Sequence, residues 1–209
     1  MPPIRRLMNA GAVWAYSLGD LADVRARHTV TGAPTIVNSP LGHALRLDGT
    51  NDYVTLVAQE FPLRFDSGTQ DFSICAWVKR NAWGAVGTVI CKREAADDGW
   101  TLFFQGTEEI AFSVDGVDIV GATAVLDGDW HHVAAVIDRS GNGQLYLDGV
   151  ADGVAVAIGG EVMATTTAVR IGADSFAPAG NKFNGDVRSI DVWSRILSPV
   201  EVAQLAGVA

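Results

Sequence analysis

The sequence predicts an all-β fold, a two-sheet antiparallel sandwich with one short C-terminal helix. Apolar and polar residues alternate almost everywhere after residue 40. Strand candidates recur about every 8–12 residues with no long helical pattern between them, which is typical of a sandwich or barrel. The 23 glycines suit tight turns between short strands. With 209 residues, 48% of them hydrophobic, the chain is long enough for one core, because a domain of this size buries roughly 70% of its unfolded surface.

The strand candidates follow one another from residue 44 onward. In the segment 72–79 the even-numbered, apolar positions share one face and the odd-numbered positions share the other. Asp48-Gly49 predicts a tight turn into a return strand. The candidates are residues 44–47, 53–57, 72–79, 88–91, 100–104, 110–114, 131–138, 145–147, 169–172 and 187–193.

One helix is predicted near the C-terminus. Ser198 is a suitable N-cap, Pro199 suits the first helical position, and Glu201 completes a Ser-x-x-Glu capping box. Leu197 and Val202 have the spacing of a hydrophobic staple. We therefore expect a short helix that packs onto the sandwich.

The chain is expected to form one domain, residues 11–209, preceded by an N-terminal arm, residues 1–10. No stretch approaches the about 18–20 apolar residues that a membrane span needs. Cys75 and Cys91 are the two cysteines. On a hairpin built around Trp83 they would oppose each other, where disulfide geometry is poor, so two buried free thiols are predicted.

The charge of the chain argues against nucleic acid as a partner. The formal net charge is -9, and the basic residues are scattered singly apart from three adjacent pairs. Binding to a duplex needs clustered cations that displace counterions from phosphates. An acidic surface favours solubility, or a partner that is cationic or carries a divalent metal ion.

Five ordered motifs resemble the laminin-G-like branch of the concanavalin A-like lectin and glucanase jelly rolls. Together they extend over about residues 11–207, which makes the resemblance far more specific than a single motif. The motifs are Leu45-Arg46-Leu47-Asp48-Gly49-Thr50-Asn51-Asp52-Tyr53-Val54, Phe72-Ser73-Ile74-Cys75-Ala76-Trp77-Val78-Lys79, Trp130-His131-His132-Val133-Ala134, Leu145-Tyr146-Leu147-Asp148-Gly149, and Arg170-Ile171-Gly172-Ala173 with Phe183-Asn184-Gly185-Asp186-Val187 and Leu197-Ser198-Pro199-Val200-Glu201.

The resemblance implies a jelly roll that binds glycans or proteins, with a structural calcium in many members near Asp48 and Asp52. Members commonly carry an acidic pair where this chain has Arg188 and Ser189. Arginine only donates hydrogen bonds and cannot ligate a cation. Either the ion is lost or other groups hold it. One hypothesis is that Arg188 replaces calcium by pairing with Asp52 or Asp48.

The motifs of catalysis are missing from the sequence, and we expect no enzyme. Glycoside hydrolysis uses two facing acids, and the Glu-x-Asp-x-x-Glu strand of catalytic relatives has no counterpart here. Glu108-Glu109 lies beside a glycine and is expected to be solvated. His131-His132 cannot share one metal ion if both lie on a strand, because neighbouring strand residues point to opposite faces. His131 is expected at the surface and His132 in the packed interior.

Loop aromatics and nearby acids are the predicted binding residues. Trp83 lies beside a glycine at a predicted hairpin tip, and Phe176 lies in the long loop that follows residue 172. Aromatic faces stack on sugars and anchor protein interfaces, although either ring also suits folding back onto the sandwich. Asp115, Asp118 and Asp174 are expected on neighbouring loops as polar contacts.

The predicted function is a non-catalytic binding or assembly module. The first interpretation is a virion accessory protein, for decoration or tail association, that docks on other structural subunits. It would be made in the cytoplasm and incorporated into a virus particle. The alternative is an extracellular, lectin-like module for cell-surface glycans, and an undetected glycan hydrolase is a third. Open sheet edges also favour a homo-oligomer.

Overall fold

The computed structural model describes residues 14–57, 69–95, 98–159, 165–176 and 180–207, so the predicted arm at residues 1–10 lies outside the described residues. These residues form fifteen strands and two helices. The strands are β1 (Trp14–Ser17), β2 (Thr29–Thr31), β3 (Thr35–Ser39), β4 (Gly42–Asp48), β5 (Tyr53–Thr55), β6 (Phe72–Arg80), β7 (Gly87–Ala95), β8 (Asp98–Phe104), β9 (Glu109–Val114), β10 (Val117–Ala124), β11 (Trp130–Ile137), β12 (Asn142–Leu147), β13 (Val150–Ala157), β14 (Arg170–Ile171) and β15 (Asn184–Trp193), and the helices are α1 (Leu21–Arg27) and α2 (Pro199–Ala206).

The strands form two antiparallel sheets that pack face to face. Sheet 1 has the order β13-β12-β11-β6-β15-β4-β3, and β1 also pairs with β15. Sheet 2 has the order β10-β9-β8-β7-β14-β5-β2. The predicted all-β sandwich is confirmed, with non-sequential neighbours in both sheets as in a jelly roll.

The core lies between the sheets and follows from the alternation along each strand. The even-numbered side chains of β6 from Phe72 to Val78 are buried in it, as the sequence predicts. The Phe72 ring lies 6.0 Å from that of Phe112 on sheet 2, and Trp100 stacks on Phe112 at 6.3 Å. Truncating such a buried aromatic residue to alanine typically lowers the free energy of unfolding by about 3–5 kcal/mol. These rings therefore contribute strongly to the packing of one sheet on the other.

Two turns that the sequence assigns to hairpins cross between the sheets instead. Asp48-Gly49 leads from β4 in sheet 1 to β5 in sheet 2, and the loop 81–86 leads from β6 to β7. Alternation shows which side chains face inward but not which strand is the neighbour. Cys75 and Cys91 therefore lie on different sheets, and the expected hairpin opposition is wrong. Both are buried free thiols, as predicted.

Helix α2 forms as the sequence predicts. The Ser198 hydroxyl accepts from the Glu201 amide at 3.3 Å, and the Glu201 carboxylate accepts from the Ser198 amide at 2.8 Å. Pro199 begins the helix. Leu197 and Val202 are buried in a cluster on the outer face of sheet 1. The helix thus covers part of that face.

Helix α1 is missing from the sequence prediction. Asp20 caps it by accepting from the Ala22 amide at 2.9 Å, and Val24 is buried. Its seven residues make two turns, which is too short for a helical period to stand out. Within the described residues, neither helix is long and apolar enough to cross a bilayer.

One set of loops gathers at a single end of the sandwich, here named the loop end. The register of β15 places Asn184 opposite Asp48 and Gly185 opposite Arg80, so β4 and β6 finish where β15 starts. In sheet 2, Gly87 opposes Phe104. The loop end therefore comprises residues 49–52, 81–86, 105–108, 125–129, 148–149, 172–173 and 180–183, whereas Asp174 and Ser175 fold back along β7 to Arg93.

One lateral side of the sandwich is a seam where edge strand β10 of sheet 2 meets edge strand β13 of sheet 1. The buried Asp152 carboxylate on β13 accepts from the Ala122 amide at 3.2 Å and from the Thr123 hydroxyl at 2.8 Å. Gly153 has φ 78° and lies so close to β10 that a Cβ would collide with the Val120 carbonyl. The two sheets therefore meet backbone to backbone at this seam.

Candidate binding pocket on the outer face of sheet 2

The outer face of sheet 2 carries a concave pocket of about 230 Å³, here named the outer pocket. Strands β7, β8, β9 and β10 form its floor, and the loop after β14 contributes to its wall. Its lining residues combine hydroxyl, amide, charged and aromatic groups. They are Val86, Thr88, Arg93, Thr101, Phe103, Ser113, Gly116, Asp118 and Asn181.

The strand register brings the polar floor together. Thr101 on β8 lies opposite Ser113 on β9, and Ser113 lies opposite Asp118 on β10. Neighbouring strands are about 4.8 Å apart, so these three side chains form one row across the sheet. In the adjoining row, the half-buried ring of Phe103 lies opposite Thr88. The pocket thus offers an aromatic surface beside hydroxyl and carboxylate groups.

Arg93 on β7 is held by a buried carboxylate beneath the loop. Its Nε donates to Asp174 Oδ1 at 3.0 Å, and its Nη2 pairs with Asp174 Oδ2. Asp174 is 1% exposed. The hydrogen bond to Asp174 raises the pKa of Arg93 above its ordinary value, and Asp118 contributes to the rise from a longer range. The guanidinium is fixed in position at the pocket wall.

Asp174 organises the loop around this ion pair. Its carboxylate also accepts from the Phe176 amide at 2.9 Å and from the Asn181 side chain at 3.3 Å. The Arg170 guanidinium donates to the Asp174 carbonyl at 3.1 Å. Asp174 is therefore an internal anchor that positions Asn181 in the pocket wall, and its carboxylate faces these partners.

The other predicted binding residues divide between the pocket and its surroundings. Asp118 lines the outer pocket. Asp115 has φ 48° in the β9–β10 turn and directly precedes the lining residue Gly116. Trp83 and Phe176 are exposed, at 45% and 51%, and lie outside the lining. A direct ligand contact stays a prediction for Asp115, Asp118, Trp83 and Phe176, whereas the Asp174 carboxylate is buried against Arg93.

Of the lining residues, only Asp118 is predicted from the sequence as a binding residue, and the rest are missed, among them Arg93, Phe103 and Asn181. Phe103 had a usable signal, because it follows the alternation of β8 onto the face opposite the buried Leu102 and Phe104. Arg93 and Asn181 come from distant segments, and only the strand order brings them to one place.

The Trp83 loop is fixed by an ion pair inside the loop end. Arg80 pairs with Glu108, and the Glu108 carboxylate also accepts from the Gly84 amide. Trp83 donates its indole N–H to the Val125 carbonyl at 3.2 Å. Glu108 is buried, so the expectation of a solvated acid is wrong at this position. Its carboxylate serves to hold the loop.

His131 and His132 separate as expected from their strand positions. His132 is buried and its ring lies 5.5 Å from that of Trp77. His131 lies at the loop end, where Nδ1 is 2.7 Å from Asp148 and Nε2 is 3.0 Å from Asp127. The Asp148 hydrogen bond, with that to Asp127, raises the pKa of His131 from 6.5 to about 9.

The predicted calcium ligands are occupied by backbone amides. Asp48 Oδ1 accepts from the Thr50 and Asn51 amides at 2.7 and 3.0 Å. Asp52 accepts from the Ala33 amide at 2.7 Å and from the Asp48 amide at 3.2 Å. In the described part of the chain, no three His, Cys, Asp or Glu side chains converge as a metal site. These residues do not fit a carboxylate-rich calcium cage.

The hypothesis that Arg188 pairs with Asp48 or Asp52 is wrong in its geometry. The Arg188 guanidinium donates to the Leu41 carbonyl and lies beside Gly42. Gly42 and Asp48 are the two ends of β4, which at about 3.4 Å per residue places them roughly 20 Å apart. Arg188 therefore holds the turn at the opposite end of the strand.

Two stacked antiparallel sheets with non-sequential neighbours define a jelly-roll β-sandwich. A family model described as the concanavalin A-like lectin/glucanases superfamily matches residues 48–203. The chain belongs to this superfamily, and the resemblance seen in the sequence is confirmed. A rat protein, "Sushi, von Willebrand factor type A, EGF and pentraxin domain-containing protein 1", is 29% identical over 118 residues. That segment covers 52% of this chain and 3% of the rat protein.

Solved structures with the same fold include binding domains of larger proteins. The binding domain of Paraclostridial Mosquitocidal Protein 1 is similar with a TM-score of 0.70 and 16% identity, over 95% of this chain and 52% of that one. The botulinum neurotoxin serotype G binding domain is similar with a TM-score of 0.68 and 16% identity, over 94% of this chain and 51% of that one. A third similar structure is domain 4 of AbnA, an extracellular arabinanase from Geobacillus stearothermophilus, solved in complex with arabinotriose. It has a TM-score of 0.65 and 18% identity, over 93% of this chain and 98% of that one.

Proposed function

We propose that this domain is a non-catalytic glycan-binding module and that the outer pocket is its binding site. The observation that carries the proposal is the lining itself, in which the Phe103 ring lies beside a row of hydroxyl and carboxylate groups. Sugar rings present an apolar face and a polar edge, and an aromatic ring flanked by hydrogen-bonding groups matches both. The volume of about 230 Å³ lies just below the roughly 300 Å³ at which drug-sized ligand pockets begin, so the pocket suits a small ligand such as a single sugar ring.

A binding role fits this lining better than hydrolysis does. Glycosidases place two carboxyl groups about 5–10 Å apart across the substrate. Among the described residues that line the pocket, Asp118 supplies one carboxylate, and Asp174 behind it is committed to Arg93. The AbnA domain solved with arabinotriose supports a saccharide ligand for this fold, and the superfamily description includes lectins.

The test is binding of the folded domain to a glycan array, followed by titration calorimetry on the best saccharide. We expect Phe103→Ala and Ser113→Ala to weaken binding, with a loss of about tenfold or more for the aromatic. Trp83→Ala and Phe176→Ala test, in the same assay, the two predicted contacts that lie outside the lining. Loss of binding in Trp83→Ala with Phe103→Ala unaffected would move the site to the loop end. Thermal melts identify variants that fail to fold.

Docking onto protein subunits is a second candidate, and the sequence predicts such a role in a virus particle. It is supported by two exposed apolar side chains on edge strand β13, Val150 at 68% and Val154 at 80%. Exposed apolar side chains attract protein partners, including a second copy of the chain. Co-purification with capsid or tail subunits that a Val150→Lys, Val154→Lys double variant abolishes would favour this role over glycan binding.

A further inference from the structure

The charges at the outer pocket are unevenly compensated. Of the described lining residues, Arg93 and Asp118 carry charge. Arg93 gives Nε and Nη2 to the buried Asp174, so its positive charge faces a carboxylate in the interior. Asp118 is exposed on the edge strand β10. The negative charge of the lining is therefore available to a ligand, whereas the positive charge is largely neutralised.

Two cations close in sequence to the pocket loop, Arg170 and Lys182, are directed elsewhere. Arg170 donates to the carbonyls of Asp174 and Ser175 at 3.1 Å, and its guanidinium lies 5.3 Å from the centre of the Tyr53 ring. Lys182 donates to the Thr50 carbonyl at 3.2 Å. Neither residue lines the outer pocket. The net charge of -9 for the whole chain, like the charge of Asp118, repels anionic ligands.

We propose that the outer pocket selects uncharged saccharides and rejects saccharides that carry a carboxylate, with Asp118 as the selecting residue. This inference rests on the proposed glycan-binding function and adds the class of ligand. Hydroxyl groups of a neutral sugar donate to the Asp118 carboxylate, and such charge-assisted hydrogen bonds are the stronger kind. A sugar carboxylate at the same distance meets a like charge and finds its best cationic partner already engaged by Asp174.

The selection is expected to be large enough to measure. Two like charges about 4 Å apart near a protein surface repel enough to weaken binding about tenfold or more. Screening by salt reduces the repulsion between exposed charges, because the Debye length falls from roughly 14 Å at about 0.05 M to roughly 4 Å at about 0.5 M. Selection by this mechanism therefore weakens in high salt, whereas selection by shape does not.

The test compares neutral and carboxylated polysaccharides on the same sensor surface. Arabinan, galactan and glucomannan are the neutral probes, and polygalacturonate, alginate and hyaluronan are the carboxylated ones. Wild-type protein should bind at least one neutral probe about tenfold more tightly than every carboxylated probe. Asp118→Asn keeps the shape of the side chain and removes its charge. It should lower the ratio of affinities for neutral over carboxylated probes about tenfold. Asp129→Asn, an exposed acid in a loop beside sheet 1, should leave the ratio unchanged.

The outcomes separate the two proposals. Binding of carboxylated probes as tight as that of neutral ones overturns the inference and leaves glycan binding intact. A neutral preference that Asp118→Asn and high salt do not change also overturns it, because shape then makes the selection. Failure of all six probes and of the wider glycan array removes the proposed function together with the inference.

Discussion

Replacement of His131 by glutamine tests whether the ion cluster at the loop end stabilises the domain in a pH-dependent way. The pKa of His131 rises from 6.5 to about 9 through its contacts with Asp148 and Asp127, which corresponds to at most about 3.4 kcal/mol. The Asp127 and Asp148 side chains are 52% and 44% exposed. Solvent therefore screens the interaction, and we expect about 1–2 kcal/mol.

The sign follows from the raised pKa. Below pH 6.5 the His131 ring is protonated in both the folded and unfolded chain, and the stabilisation is complete. Between pH 6.5 and about 9 the folded chain keeps a proton that the unfolded chain has lost, so stability falls as the pH rises. Hydrogen bonds from the Asp129 amide and then from His131 lower the pKa of Asp127 below its ordinary 3.8, so the contribution of Asp127 is lost only in acid.

The assay is urea unfolding followed by tryptophan fluorescence at a series of pH values from about 6 to about 9.5. The free energy of unfolding of the wild type, minus that of His131→Gln, should shrink by about 1–2 kcal/mol across this range. His43→Gln is the matched control, since His43 is exposed in the hairpin between β3 and β4. A difference between wild type and His131→Gln that stays constant with pH would refute the reasoning.

Three further predictions concern the seam, the C-terminal helix and calcium. Gly153→Ala should destabilise the domain by at least about 2 kcal/mol more than Gly84→Ala, because both have positive φ but only the Gly153 Cβ meets backbone; equal unfolding midpoints would contradict this. Ser198→Ala should cost about 1 kcal/mol in urea unfolding and Ser198→Thr less, because threonine keeps the capping oxygen. A chelator should leave the melting temperature nearly unchanged, since Asp48 and Asp52 bind backbone amides; a fall of several degrees would show that other groups hold an ion.

Local signals in the sequence are sufficient for ten of the fifteen described strands and for the last helix, whereas β1, β2, β3, β10 and β13 are not among the strand candidates. Alternation in β6 and the capping box at Ser198 are each specified by residues close together in the chain, and both appear in the structure. The Asp48-Gly49 turn is present where the sequence predicts it, but it leads to β5 in the opposite sheet and not to a strand that pairs with β4. Two strands joined by a short turn show the same alternation whether they pair or cross between layers, so neighbouring residues cannot decide.

The candidate site was predictable only in part, for a related reason. The sequence predicts Asp118 as a loop residue; it lies instead on strand β10, where it is exposed and lines the pocket. Arg93 and Asn181 became part of the pocket through the pairing of β7 with both β8 and β14, which joins segments about eighty residues apart. Asp174 was expected at the surface, yet burial of its carboxylate with Arg93 makes it an internal support.

The carboxylate of Asp152 bears on whether one molecule of this protein can aggregate with another through its sheet edges. Strands at the margins of a β layer invite foreign strands to add to them, and a charge turned inward is one way in which proteins prevent this. Here the Asp152 carboxylate accepts hydrogen bonds from the Ala122 amide and the Thr123 hydroxyl of β10, so these donors already have a partner within the same molecule. The Asp152 contact therefore opposes the addition of a strand from a second molecule along this margin.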